Sequence, residues 1–302
     1  MSTLFSGLSA FPLTPLRDDG LDEIAFARII AHLAASGVDS ITALGSTGSY
    51  AYLDRRERAN AIQIAVELSG TVPVFAGIGA LRTREVLAYA EDAQRAGVAG
   101  VLLPAMSYQR LTEDDVFGLF KTVTANLDVP LIVYDNPGTT HFEFTDDLYA
   151  RVAALPHVAS IKIPGVPETP VEATRRVTEI RARVPEDLTI GVSGDALAAA
   201  GLSAGCEAWY SVIAGTLPAP ALAITRAAQR GDHEEAERLS QQLEPIWAAN
   251  RQYGSLRVVA ALAEHMGLTQ KNALPLPIVG LSDAERDAVV AAAVESKVLS
   301  TP

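Results

Sequence analysis

Short, nearly all-apolar runs alternate along the chain with longer stretches whose apolar residues recur every three or four positions. Eight runs have strand character: 5–10, 40–44, 73–78, 100–104, 130–134, 158–163, 188–192 and 208–213. Each is bounded by Gly, Pro, Asp or Asn, residues that favour turns over continued pairing. Their unbroken apolar character fits strands covered on both faces, hence a parallel sheet. The intervening stretches read as amphipathic helices. Asp54 with Glu57 forms an acidic variant of a capping box ahead of Ala61, Ile62 and Ala65. Thr83, Thr112 and Thr145 precede similar runs, and Gly37, Gly70 and Gly97 fall where helix C-terminal caps belong. Eight alternating units predict a (β/α)8 TIM barrel over residues 1–217. A doubly wound open sheet is disfavoured, because no glycine fingerprint follows the first strand. From about Pro218 no strand pattern returns. Residues 218–302 are expected to form the last barrel helix and a C-terminal helical appendage. Three or four helices are expected there, broken at Gly231, Gly254 and Gly267, with Ser282 and Glu285 opening the last.

Composition narrows the function classes. The 302 residues are 49% hydrophobic, ample for a large core. A net charge of −12 argues against nucleic acid or an anionic membrane as partner, though not against a small anionic substrate. The single Cys206 excludes an intrachain disulfide and a cysteine metal site, and it fits a reducing compartment. The start lacks the basic and apolar segments of a signal peptide, and no apolar run reaches membrane-spanning length. A cytoplasmic protein is expected. The five histidines show no metal-ligand spacing, so no metal or cofactor is expected. His141 alone follows a predicted strand end, where it could face a site.

The candidate chemistry starts at Lys162. The chain has four lysines against twenty arginines, and this one sits in the apolar run Val158-Ala159-Ser160-Ile161-Lys162-Ile163. Burial disfavours the ammonium and lowers its pKa, which arginine would resist. A neutral amine at a strand end is a nucleophile for carbonyl substrates. Barrel sites form where strands end. At such ends stand Gly45-Ser46-Thr47-Gly48, whose glycines let a ligand approach and whose hydroxyls suit a carboxylate, and Tyr134, a candidate proton donor and acceptor. Adjacent strands would set Tyr134 beside Lys162, while Asp135 should point the other way. Asp195 is expected to cap the helix after it. Trp209 and Tyr210 should fill the barrel or reshape the pocket floor. Arg55-Arg56-Glu57-Arg58 reads as a solvated helix face, and Cys206 as a small buried residue.

In order, GSTG, YDNPG, IKIPG and Ser193-Gly194-Asp195 resemble the dihydrodipicolinate synthase / N-acetylneuraminate lyase family over nearly the whole chain. Ala10-Phe11-Pro12-Leu13-Thr14-Pro15 and Tyr253-Gly254-Ser255-Leu256 extend the likeness. The resemblance implies a (β/α)8 class I lyase acting through a pyruvate Schiff base, commonly as a homotetramer built as a dimer of dimers. It implies that Lys162 is the Schiff-base lysine, that Tyr134 relays protons, and that Ser46 and Thr47 bind the pyruvoyl carboxylate and join the relay, Thr47 as a catalytic residue, beside Gly48 as a further substrate-binding position. Gly194 and Tyr210 would line the site, and Tyr108 would reach a neighbouring subunit's site. Departures gather in the other half of the pocket. The synthases' carboxylate-binding arginine falls at Thr139, a glutamate of many members at Ser49, and a frequent glutamate at Ile163. A small 2-oxo acid is therefore the expected substrate, in carbon–carbon bond formation or cleavage. 4-Hydroxy-tetrahydrodipicolinate synthesis and a Schiff-base dehydration are the alternatives. From other classes, the alternatives are a non-catalytic ligand-binding member and a metal-dependent barrel hydrolase. The joint presence of Lys162, Tyr134 and Thr47 opposes the first, and the missing ligand cluster opposes the second.

Overall fold

A computed structural model of the protein describes residues 3–299. Eight parallel strands close into a barrel: β1 (Gly7–Ala10), β2 (Ser40–Ala43), β3 (Val74–Gly77), β4 (Gly100–Pro104), β5 (Leu131–Tyr134), β6 (Val158–Ile163), β7 (Thr189–Val192) and β8 (Ala208–Ser211). Each strand pairs with its neighbours in sequence, and β8 returns to β1 with Gly7 opposite Ala208.

Period-two alternation divides each strand between two cores. Ile132, Tyr134, Phe75, Leu102, Ala208 and Tyr210 fill the barrel with Phe5 and Phe11. Leu131, Val133, Ile161 and Trp209 belong instead to the larger core under the helices. Polar side chains inside the barrel satisfy one another: Ser9 Oγ meets Thr42 Oγ1 at 2.8 Å, and Ser160 Oγ meets the Tyr210 hydroxyl at 2.6 Å.

The helices that cover the strands are α1 (Glu23–Ala34), α2 (Arg55–Leu68), α3 (Thr83–Ala96), α4 (Glu113–Thr124), the single turn α5 (Pro137–Thr140), α6 (Asp146–Ala153), α7 (Pro170–Arg181) and α8 (Ala198–Ser203). α2 opens on the Asp54–Glu57 capping box, and α4 on a second, from Thr112 and Asp115. Thr145 caps α6. Thr83 is already inside α3, whose cap position, Arg82, makes no side-chain bond. Gly97 ends α3 at φ 88°, a conformation that costs glycine little and other residues more.

Five helices follow: α9 (Pro218–Gln229), α10 (His233–Gln242), α11 (Glu244–Tyr253), α12 (Ser255–His265) and α13 (Asp283–Glu295). The expected three or four become five because Pro245, which has no N–H to continue a helix, sits in the first turn of α11 and splits it from α10 at Leu243. α11 packs on α12, α13 and the turn Asp195–Leu197, which brings the appendage to the barrel mouth. The strand bounds shift by a residue in four strands and by two residues in the first and last. β1 begins later than position 5, because Thr3–Phe5 is a 3-10 turn. β8 stops at Ser211, because Ile213–Gly215 is another. A two-residue hairpin, Leu16–Arg17 with Gly20–Leu21, was too short to leave a period in the sequence.

Candidate active site

A cavity of about 320 Å³ opens at the C-terminal ends of the strands, with Lys162 among its lining residues. Tyr134 and Lys162 are paired positions on β5 and β6, so register alone sets them side by side. Lys162 is only 4% exposed. Its Nζ lies 4.4 Å from the centre of the Tyr134 ring and 5.9 Å from that of Phe11. Burial drives its pKa down from 10.5 to about 7, opposed by the negative charges of Asp195 and Asp135. Desolvation is the largest of these effects and sets the direction.

Asp195 was expected to cap its own following helix, and it does not. Its carboxylate accepts from Trp209 Nε1 at 3.0 Å, Val212 N at 3.1 Å and Ile213 N at 2.7 Å, pinning the turn after β8. Asp135 turns out of the barrel, as strand alternation requires, and accepts the Tyr149 hydroxyl at 2.5 Å. Burial raises the Asp135 pKa to about 6.

The Tyr134 hydroxyl meets Ser46 Oγ at 2.9 Å and accepts from Asn136 Nδ2 at 3.0 Å. Burial raises its pKa, and hydrogen bonding from Ser46, Asn136 and Thr139 pulls it back. Ser46 and Thr47 both line the cavity. Their loop leaves β2 through Leu44 at φ 57° and ends at Ser49, φ 54°, ahead of the 3-10 turn Tyr50–Tyr52. Left-handed backbone at a leucine costs roughly 1–2 kcal/mol, strain of the kind that gathers at functional sites. The flanking glycines serve packing: a Cβ on Gly45 would lie 2.5 Å from the Phe11 ring, and one on Gly48 3.0 Å from the Leu44 backbone. Gly48 does not line the cavity, contrary to expectation. Gly194, at φ 78°, and Tyr210 do line it. Tyr210 forms its floor, in edge contact with Phe11, and Gly191 makes room for it, since a Cβ there would fall 2.3 Å from the ring. Trp209 faces the outer core instead.

A second lobe of about 360 Å³ shares Ser46, Thr47, Asn136, Val212 and Ser255 with the first. Thr139 lines it, with Tyr50, Met106, Leu256 and Ile278. No charged side chain lines this lobe among the described residues. Tyr108 is 90% exposed and lines neither lobe; the residue of that loop that reaches the site is Met106, which accepts from the Tyr50 hydroxyl at 3.3 Å. His141 caps α5 in a left-handed conformation and is exposed, away from the pocket. Arg58, expected on a solvated face, is 3% exposed. It donates to the carbonyls of Gly77 and Gly79 at 2.8 and 2.9 Å, with the Tyr89 ring centre 3.7 Å from its guanidinium carbon.

Trp247, Asn250 and Arg251 of α11 and Ser255 of α12 also wall the first lobe, and sequence reasoning missed all four. No local motif marks Trp247, Asn250 or Arg251, while Ser255 lies in the Tyr253–Leu256 likeness; the packing of α11 and α12 at the barrel mouth brings all four in. Asn136 was readable, since it lies within YDNPG. Among the described residues no group of three or more His, Cys, Asp or Glu side chains is arranged to hold a metal ion, and no helix is long and apolar enough to cross a membrane.

A model of the dihydrodipicolinate synthetase family matches residues 4–296. The 4-hydroxy-tetrahydrodipicolinate synthase of Methanosarcina mazei is 32% identical over 285 residues, covering 94% of this chain and 95% of that protein. The enzyme of the same name from Methylococcus capsulatus is 32% identical over 282 residues, 91% of this chain and 93% of its own. A crystal structure of dihydrodipicolinate synthase from Agrobacterium tumefaciens aligns with a TM-score of 0.93 at 43% identity, covering 97% of this chain and 99% of that one. Barrel and C-terminal helices match alike, and the chain belongs to the dihydrodipicolinate synthetase family.

Proposed function

We propose that the protein is a class I lyase or aldolase in which Lys162 forms a Schiff base with pyruvate or a related 2-oxo acid. One observation carries this reading: a buried lysine with a pKa near 7 opens on a cavity beside a tyrosine whose hydroxyl meets a serine of the neighbouring loop. The neutral amine adds to the C2 carbonyl, and loss of water leaves a protonated imine. In the synthetic direction, removal of a C3 proton gives an enamine that attacks an aldehyde carbon. In the reverse direction, bond cleavage yields the same enamine and releases the aldehyde. Water then returns the lysine and the 2-oxo acid. Tyr134, in contact with Ser46 and Asn136, carries protons to and from the carbinolamine and the departing oxygen. Ser46 and Thr47 hold the C1 carboxylate, with Gly194 and Tyr210 shaping the pocket around it, and a held substrate reacts with much less orientational entropy to lose.

The neutral lobe around Thr139 favours a reaction other than 4-hydroxy-tetrahydrodipicolinate synthesis, because that lobe offers no bidentate cation for an aldehyde's carboxylate. On this reading the barrel, residues 1–217, supplies the chemistry, and the segment from 218 walls the entrance. The enzyme works in the cytoplasm, without a cofactor, as a homotetramer in which Tyr108 reaches a neighbouring subunit's site.

Borohydride reduction in the presence of pyruvate tests the proposal. The expected product is a pyruvyl adduct mapped by mass spectrometry to Lys162 and absent from Lys162→Ala. An unmodified lysine, with turnover surviving Lys162→Ala, refutes it.

A further inference from the structure

Charge is distributed unevenly between the two lobes of the site. Among the described residues that line them, the cations are Lys162 and Arg251, and both belong to the first lobe. Lys162 is fully engaged by the proposed imine. Arg251 stands near the end of α11. Its one polar partner among the described residues is Glu244, seven positions back on the same helix, through a single guanidinium nitrogen. A guanidinium offers five N–H donors, so several remain for a ligand. Beside it, Asn250 also lines the cavity, and its side-chain Oδ1 is buried with no hydrogen-bond donor from the protein. That oxygen only accepts and would need a donor, so it is the spare guanidinium N–H groups of Arg251 that a carboxylate can use. The α11 wall thus adds a guanidinium, paired on one side with Glu244 and with donors to spare, to the cavity that Lys162 also lines. The second lobe is lined by Met106, Leu256, Ile278 and neutral polar groups, and it offers nothing to balance a negative charge.

We infer that Arg251 is a specificity-determining residue: it binds the far carboxylate of a 2-oxo diacid whose carbonyl carbon is held at Lys162. This deepens the Schiff-base reading and rests on it. Recognition of the distal acid has moved from the loop after β5, where Thr139 is neutral, to the appendage helix, where the guanidinium can take a carboxylate through two parallel hydrogen bonds.

The test compares 2-oxoglutarate with 2-oxopentanoate, a pair matched in chain length and differing in the charge of the far end. Borohydride trapping at Lys162 is measured against concentration for both, with pyruvate as reference, in the unaltered enzyme, Arg251→Ala and Arg251→Lys. The unaltered enzyme is expected to trap the diacid at about tenfold lower concentration than the monoacid, as one charge-assisted contact implies. Arg251→Ala should erase that preference, and Arg251→Lys should restore part of it. Equal trapping of the two acids by the unaltered enzyme, or a diacid preference that survives Arg251→Ala, overturns the assignment while leaving the Schiff base standing. Absence of any pyruvate adduct on the unaltered enzyme overturns the underlying reading instead. A pyruvate adduct on each variant shows that its barrel is intact, so a lost preference cannot be credited to misfolding.

Discussion

Lys162 owes its chemistry to where its charge would sit. Two carboxylates stand near enough to favour the ammonium, yet burial outweighs them and the pKa falls to about 7. In the reaction proposed above the neutral amine is the nucleophile, and its population grows as pH rises through that value. The rate of pyruvate trapping is therefore expected to climb between about pH 6 and 8 and to level above. A rate still rising steeply at pH 9 would mark a solvated lysine. Asp135→Asn removes a negative charge that holds the ammonium in place, so the inflection should move to lower pH. The lysine's special status was legible in the sequence, because a charged residue inside an apolar strand is costly and rare. The Asp195 contacts were not. A carboxylate after a glycine suits a local helix cap, but here it reaches amides some seventeen residues on, which the barrel's curvature brings close.

At the scale of elements, local signals were reliable where the physics is local. The Asp54–Glu57 and Ser282–Glu285 boxes formed because both partners lie within one helical turn. The face that follows Asp54 is another matter. Arg58 has the sequence signature of a surface residue, yet α2 lays it under the end of β3, where it bridges the Gly77 and Gly79 carbonyls. Burial lowers its pKa to about 10, so it remains charged at neutral pH. Removing it leaves two carbonyls and a cavity. Arg58→Ala is expected to lower the unfolding free energy by about 3 kcal/mol, read from urea denaturation, and Arg58→Lys to recover only part, since one ammonium lacks the fork to span both. A change below about 0.5 kcal/mol would place this arginine among ordinary surface residues.

At the scale of the whole molecule, the barrel and the appendage share one site. Trp247 is buried under the mouth while Asn250 and Arg251 face the cavity, so one helix both seals the fold and shapes the pocket. Tyr108 keeps a large ring 90% exposed, which the homotetramer proposed above would cover. Sedimentation of the purified protein is expected to show a particle of four 31.9 kDa chains, and a monomer at micromolar concentration would refute that assembly. The sequence by itself determined the alternating strands and helices, the barrel they close, and the Lys162–Tyr134 pairing. Each follows from periodicity or from register between strands adjacent in the chain. Only the tertiary structure decided that Arg58 is buried, that Met106 rather than Tyr108 enters this subunit's pocket, and that α11 supplies a wall. Those outcomes depend on contacts between segments far apart in the chain, and no local pattern encodes which distant surface a side chain will meet.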